Sequence, residues 1–335
     1  YQLQLTLDGA DSQMRVSSNL KGAVIDLPAP FGLAANESRD SVFRMTLQGA
    51  ERRYWFDYGN LVNLTFAAPN GKFEQGRGEL FLGDGTAVLP ASKGLRIRGV
   101  LSQLDVAPWQ ALVERYAGND PGGSAKQLLG SADFKVGKLI GFGTQLDQVH
   151  LVMKRNAASW ALQIDSKQAL GAVTLPDAKN APIVVTMQSI RIPASDPKAV
   201  TDENAPDPLA SVNPRSIPAL DILIRQLYLG PDLLGAWSLK IRPTSRGIQL
   251  NTLNLGLKGL LLEGSGGWEG LPGATNSWYK GRLGGRNLGD VLKNWGFAPS
   301  VTSDNFHVDV DCKWPGSPAW IALKRFSGTL DASLN

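Results

Sequence analysis

The sequence predicts a mainly β protein of antiparallel strands, elongated or sandwiched, with only two short helices. Three observations carry this expectation. Apolar and polar residues alternate in segment after segment, and these segments recur about every 8–12 residues, as in all-β proteins. Helical spacing of apolar residues occurs in only two places. No run of 18 apolar residues is present, and the Leu-rich stretch LNLGLKGLLLEG is broken by Lys258 and Glu263.

The elements follow in chain order. Leu3, Leu5 and Leu7 alternate with Gln2, Gln4 and Thr6. Phe43, Met45 and Leu47 alternate with Arg44, Thr46 and Gln48. The first helix is expected near 108–117: PWQALVERYAG sets Trp109, Leu112, Val113 and Tyr116 on one face, with Pro108 opening it and Gly118 ending it. Strands resume at Val149, Leu151 and Met153, then at Trp160, Leu162 and Ile164. Trp237, Leu239 and Ile241 repeat the device. The second helix is expected near 288–295, with Leu288, Val291, Leu292 and Trp295 on one face, Asn287 as cap and Gly296 as stop. Phe306, Val308, Val310 and Cys312 then alternate with His307, Asp309, Asp311 and Lys313. Roughly 16 to 18 strands are expected, each with one apolar face and one face in water.

Two segments interrupt the alternation. Residues 193–218 (PASDPKAVTDENAPDPLASVNPRSIP) are rich in Pro, Asp, Ala and Ser and read as a long exposed loop. Residues 28–41 (PAPFGLAANESRDS) read as a shorter one. The chain also echoes itself. LRIRGVL before the first helix matches WYKGRLGG before the second, with Gly99 and Gly281 as equivalents. At an offset of 88, Leu139, Leu146, Leu151 and Leu162 fall on Leu227, Leu234, Leu239 and Leu250. Such self-similarity marks stacked units of several strands followed by one helix. The expected divisions are 1–118 as the end of one repeat, 119–297 as the next, and 298–335 as the start of a further one.

Composition narrows the function. At 335 residues, with 43% hydrophobic and 19% charged residues, the chain is a folded protein. A net charge of +4 makes no nucleic-acid face. The single cysteine, Cys312, excludes an intrachain disulfide framework and a Cys-based zinc site. His150 and His307 stand on the polar side of their strands. Asp202, Glu203 and Asp207 lack calcium-loop spacing and read as solvated loop acids. No HExxH, GxSxG or GxxxxGK[ST] occurs. The expectation is therefore a protein that is not an enzyme, with no cofactor, no metal and no nucleic-acid partner. A glycan-handling protein would need aromatic platforms beside paired carboxylates, and no such constellation is visible.

The segment 287–335 runs NLGDVLKNWGFAPSVTSDNFHVDVDCKWPGSPAWIALKRFSGTLDASLN. It closely resembles the C-terminal region of the YhdP family, within the AsmA-like proteins of Gram-negative bacteria. DLPAPFGLAANESRDS (26–41), after SNLKGAVI, resembles another hallmark of that family, and GSGGWEG (264–270) and WALQI (160–164) fall at its Trp-containing strands. The acidic Pro-rich loop and Pro108 are departures outside the strand pattern.

The resemblance implies a twisted antiparallel sheet curled into an open repeating β-groove. It also implies a periplasmic lipid conduit, part of an inner-membrane-anchored protein reaching toward the outer membrane. Phospholipid would be its partner, acyl chains in the groove, with membrane contact made elsewhere in the protein. The groove would then be lined by Leu3, Leu5, Leu7, Phe43, Met45, Leu47, Val149, Leu151, Met153, Trp160, Leu162, Ile164, Trp237, Leu239, Ile241, Phe306, Val308 and Val310. A chain that starts and stops in strand-like sequence is expected to be an internal section of such a protein. The alternative is a closed β-sandwich or barrel array serving as a structural or adhesive envelope module, because periodicity alone does not separate an open trough from a sealed core.

Overall fold

The computed structural model describes residues 1–117, 128–141, 144–193, 206–299, 303–321 and 323–334. Strands make up 60% of the chain and helices 9%, so the mainly β expectation holds. The described residues contain 19 strands, one more than the upper expectation. They fall into two compact units, Tyr1–Ala157 with Ala161–Lys167, and Ala158–Trp160 with Gln168–Asn335.

The first unit contains β1 (Gln2–Thr6), β2 (Gln13–Ser18), β3 (Ser41–Thr46), β4 (Glu51–Tyr58), β5 (Val62–Pro69), β6 (Arg77–Leu82), β7 (Gly94–Asp105), helix α1 (Val106–Ala117), β8 (Leu129–Gly141) and β9 (Thr144–Arg155). Each strand pairs with the next in sequence. Pairing is antiparallel except at β6–β7 and β7–β8, which are parallel. The antiparallel expectation misses these joints because sequence alternation is the same for both ladder types. A parallel joint needs a connection long enough to return along the strand. Residues 83–93 provide the first return, and the segment that includes α1 provides the second.

β10 (Ser159–Asp165) is divided between the units. The second unit continues with β11 (Ala169–Pro176), β12 (Ile183–Ile192), β13 (Leu220–Leu229), β14 (Asp232–Pro243), β15 (Gly247–Leu257), β16 (Leu260–Leu271), β17 (Ala274–Arg286), helix α2 (Leu288–Asn294), β18 (Asn305–Pro315) and β19 (Ser327–Leu334). Here β12–β13 is parallel, and the printed ladders from β13 to β19, with β11–β12, are antiparallel.

The offset of 88 is structural. β9 and β14 coincide end to end under that shift, and β10 and β15 start 88 apart. Both hairpins, β8–β9 and β13–β14, follow a parallel joint. The match of β7–α1 to β17–α2 holds for the elements but not the joint, because β17 meets β18 antiparallel.

Both helices form where expected. α1 begins at Val106, so Pro108 sits inside its first turn, where no intrahelical donor is needed. The Asn287 side chain accepts the Asp290 amide at the start of α2, and Gly296 takes φ +80 just past its end.

The shorter interruption is not exposed throughout. Phe31 and Leu33 are 3% exposed. Arg39 Nη1 donates to Pro30 O, Gly32 O and the Tyr58 hydroxyl, and that hydroxyl donates to Phe31 O at 3.1 Å. Phe31 meets Trp109 of α1 edge-on, and Arg115 pairs with Asp26 at 2.6 Å. Pro-rich composition hides this docking, because a loop with many ties looks like a free one in sequence. Arg39→Ala is expected to cost about 2 kcal/mol, since a charged donor bound to several acceptors is lost. A urea melt with unchanged midpoint would contradict it.

The apolar face as candidate functional site

Residues opposite each other in a ladder share a face, so the register shows whether the strand faces join. They do. In the first unit one row runs Leu3, Val16, Phe43, Phe56, Leu64, Leu80, Ile97, Ala132, Met153, one residue from each of nine strands. All nine are apolar. A neighbouring row runs Leu5, Met14, Met45, Tyr54, Phe66. In the second unit Val185, Ile222, Leu239, Leu253, Gly264, Gly281, Val310 and Leu330 form a row from β12 to β19. Beside it lie Met187, Ile224, Trp237, Leu255, Leu262, Leu283, Val308 and Ala332.

The reverse face is charged and cross-linked. Arg44 pairs with Asp57 across β3–β4 and lies over the Trp55 ring. Arg282 on β17 grips Asp309 on β18 through two bonds of 2.8 and 3.0 Å, which holds the Asp309 carboxyl below the ordinary carboxylate range. Lys280 pairs with Asp311 at 3.0 Å, and Arg242 with Asp221 at 2.7 Å. Glu79, fully buried under the loop 83–93, pairs with Arg96 and Arg98. His150 bonds Asp133 at 2.8 Å on this polar side. These pairs tie adjacent strands and leave the apolar rows uninterrupted.

The register places the sequence-selected residues as follows. Leu3, Leu5, Phe43, Met45, Val149, Leu151 and Met153 share the apolar face of the first unit. Trp237, Leu239, Ile241, Phe306, Val308 and Val310 share that of the second. Trp160, Leu162 and Ile164 are half-buried on β10, with Gln163 exposed between the last two. Leu7 and Leu47 lie one residue beyond their strands. Sequence reasoning missed Val16, Phe56, Leu80, Ile222 and Leu253, which only the register joins to the rows. It also missed Gly264 and Gly281. A Cβ at Gly281 would meet Glu263 O and the Tyr279 hydroxyl, so the backbone there is close-packed. Tyr279 donates to Glu263 O at 2.7 Å, and burial pushes its hydroxyl up to about 12.

The apolar face is not sealed. Leu3 and Leu5 are 58% and 57% exposed, while Phe43, Leu151, Leu239 and Val308 are half-buried. Among the described residues of the second unit, buried clusters form at Met187–Ile224–Leu227 and Leu253–Tyr279–Trp314.

Asp207 is not the solvated acid the sequence suggests, and Asp202 and Glu203 lie outside the described residues. Both Asp207 oxygens are occupied, one by the Ser317 amide and one by its hydroxyl. Burial alone would raise this carboxyl. The bonds from Ser317 and Leu209, with the Arg325 charge, outweigh burial and hold it below the usual value of 3.8. Among the described residues no cluster of His, Cys, Asp or Glu suits a metal, and no helix is long and apolar enough to cross a membrane.

Searches of curated proteins and of solved structures returned no match. The sequence model of the YhdP protein family matches residues 1–335, the whole length. Together with the continuous apolar rows, that match completes the reading of the fold: the chain belongs to the YhdP family.

Proposed function

We propose that this chain is a section of a periplasmic conduit that carries phospholipid between the inner and outer membranes along its apolar face. The observation that carries the reading is the pair of unbroken apolar rows, half open to solvent and backed by a charged face. A soluble protein rarely leaves so much contiguous apolar surface uncovered unless something binds there. Family membership supports the same reading.

The physical need is clear. Holding a 16-carbon acyl chain in water costs on the order of 13 kcal/mol at about 0.8 per CH₂, so bare lipid crosses an aqueous gap slowly. An apolar trough removes most of that cost and lets the headgroup stay wet at the open side. Many sites of similar affinity favour movement, whereas one tight pocket would trap the cargo. Such a carrier needs no nucleophile, base or metal, and on this reading the chain is not an enzyme.

Photo-crosslinkers test the assigned face. At Leu151 and Leu239 they should capture phospholipid, and at His150 and Ser238, which point the other way, they should not. Equal labelling of both sets would refute it. If no lipid co-purifies with the chain by mass spectrometry, the closed structural module gains.

A further inference from the structure

The loop before β13 and the turn after β18 are 110 residues apart in sequence, and they meet. Asp207 Oδ2 accepts the Ser317 amide at 2.8 Å, and Oδ1 accepts the Ser317 hydroxyl at 2.6 Å and the Leu209 amide at 2.9 Å. The receiving turn is built and buried. Ser317 is 0% and Ser277 1% exposed, the Ser277 hydroxyl donates to Gly316 O, and Trp314 Nε1 donates to Ser317 O. The Trp-Pro-Gly-Ser-Pro turn therefore acts as a socket.

Between Asp207 and β13 the loop is tied to each hairpin turn that it passes. Gly273, at the β16–β17 turn, donates to Ala210 O at 2.9 Å. Arg215 Nε donates to Arg246 O at the β14–β15 turn, and the turn Pro214–Ser216 packs on β15 and β16 with Pro214 fully buried. The segment thus follows one rim of the second unit from β13 to β18. That is five strand-to-strand steps, about 24 Å at 4.8 Å each. Ladder hydrogen bonds join only adjacent strands, and each step can twist over a wide range of angles. A tie between strands five steps apart restricts the sum of those angles, and so the curvature of the face.

We propose that residues 206–218 form a strap that sets the curvature of the β13–β18 apolar face, with Asp207 and Ser317 as its clasp. The lipid half of this inference rests on the conduit reading. With the clasp closed, the curved face surrounds an acyl chain. With it open, the strands relax toward flatness and cargo contacts are lost.

The test uses the purified chain with Asp207→Ala, Asp207→Asn and Ser317→Ala. Two quantities are measured: amide hydrogen exchange at Ser317 and 209–217, and phospholipid bound per chain by mass spectrometry. Asp207→Ala should speed exchange at the Ser317 amide at least tenfold, leave the β15–β17 amides unchanged, and lower bound phospholipid at least twofold. Ser317→Ala, which removes one bond, should fall between. Asp207→Asn keeps one acceptor oxygen for two backbone donors, the Leu209 and Ser317 amides, so it should lie between Ser317→Ala and Asp207→Ala. Unchanged exchange in Asp207→Ala would overturn the clasp. Released strap amides with undiminished lipid would overturn its role in holding cargo. A wild-type chain without lipid would sink the conduit reading and the lipid half with it, while the exchange data would still decide the clasp.

Discussion

On the proposed conduit function, Leu239→Asp is expected to abolish lipid delivery while leaving the chain folded. Leu239 sits on the apolar row between Ile222 and Leu253, half-buried against the Leu253–Tyr279–Trp314 cluster. In a conduit every position along the row lies in series, so one carboxylate among acyl chains blocks the whole path. Its desolvation costs about 2–3 kcal/mol where water can reach it, less than the loss from an unpaired charge in a sealed core. In cells that depend on this protein for lipid supply, the variant should be expressed at normal levels and fail to support growth. The control is Lys240→Gln on the charged face. A change to Asp there would set a second carboxylate directly opposite Asp221, a repulsion unrelated to lipid. Full activity of a folded Leu239→Asp would show that cargo does not follow this row. Loss of folding would favour the closed core.

Gly281→Val is expected to have the largest effect on stability. Gly281 faces Gly264 across β16–β17 and Val310 across β17–β18. Any side chain would run into Glu263 O and displace the Tyr279 hydroxyl from that carbonyl. Overpacking against backbone, plus a buried hydroxyl left without its acceptor, should cost on the order of 4 kcal/mol. Thermal melts should show the second unit unfolding well below the wild type. Gly273→Ala makes the comparison: at its φ of +79 a Cβ meets nothing within 4 Å, so only backbone strain of about 1 kcal/mol applies. Equal melting temperatures for the two variants would refute the close-packing argument.

Much of the fold was legible because strand alternation and helix spacing are local. The Leu3, Phe43, Leu239 and Val308 phases all agree with the register, since a period of two assigns each residue to one of two faces. Asn287 and Gly296 marked the ends of α2 by the same local logic. The parallel joints β6–β7, β7–β8 and β12–β13 were not legible, because strand direction leaves no mark in alternation. Phe56 was obscured by its neighbours: Tyr54, Phe56 and Tyr58 face one way, but Trp55 between them faces the other and breaks the polar half of the pattern. Gly264 and Gly281 carry no hydrophobic signal at all, although they lie in the middle of a row.

By itself the sequence determined the mainly β class, the strands around Leu3, Phe43, Val149, Trp160, Trp237 and Phe306 with their apolar sides, the helices near 108–117 and 288–295, and the resemblance that the family match then established. Those properties follow from backbone periodicity, capping chemistry and short motifs, all written within a dozen residues. Only the tertiary structure decided that the separate apolar sides join into rows. It also decided that the reverse side is stitched by Arg282–Asp309 and its like, and that Asp207 finds Ser317. These depend on register and on contacts between residues more than a hundred positions apart. Many pairings satisfy the local pattern equally well, and the choice among them is made by packing, hydrogen bonding and charge across the assembled sheet.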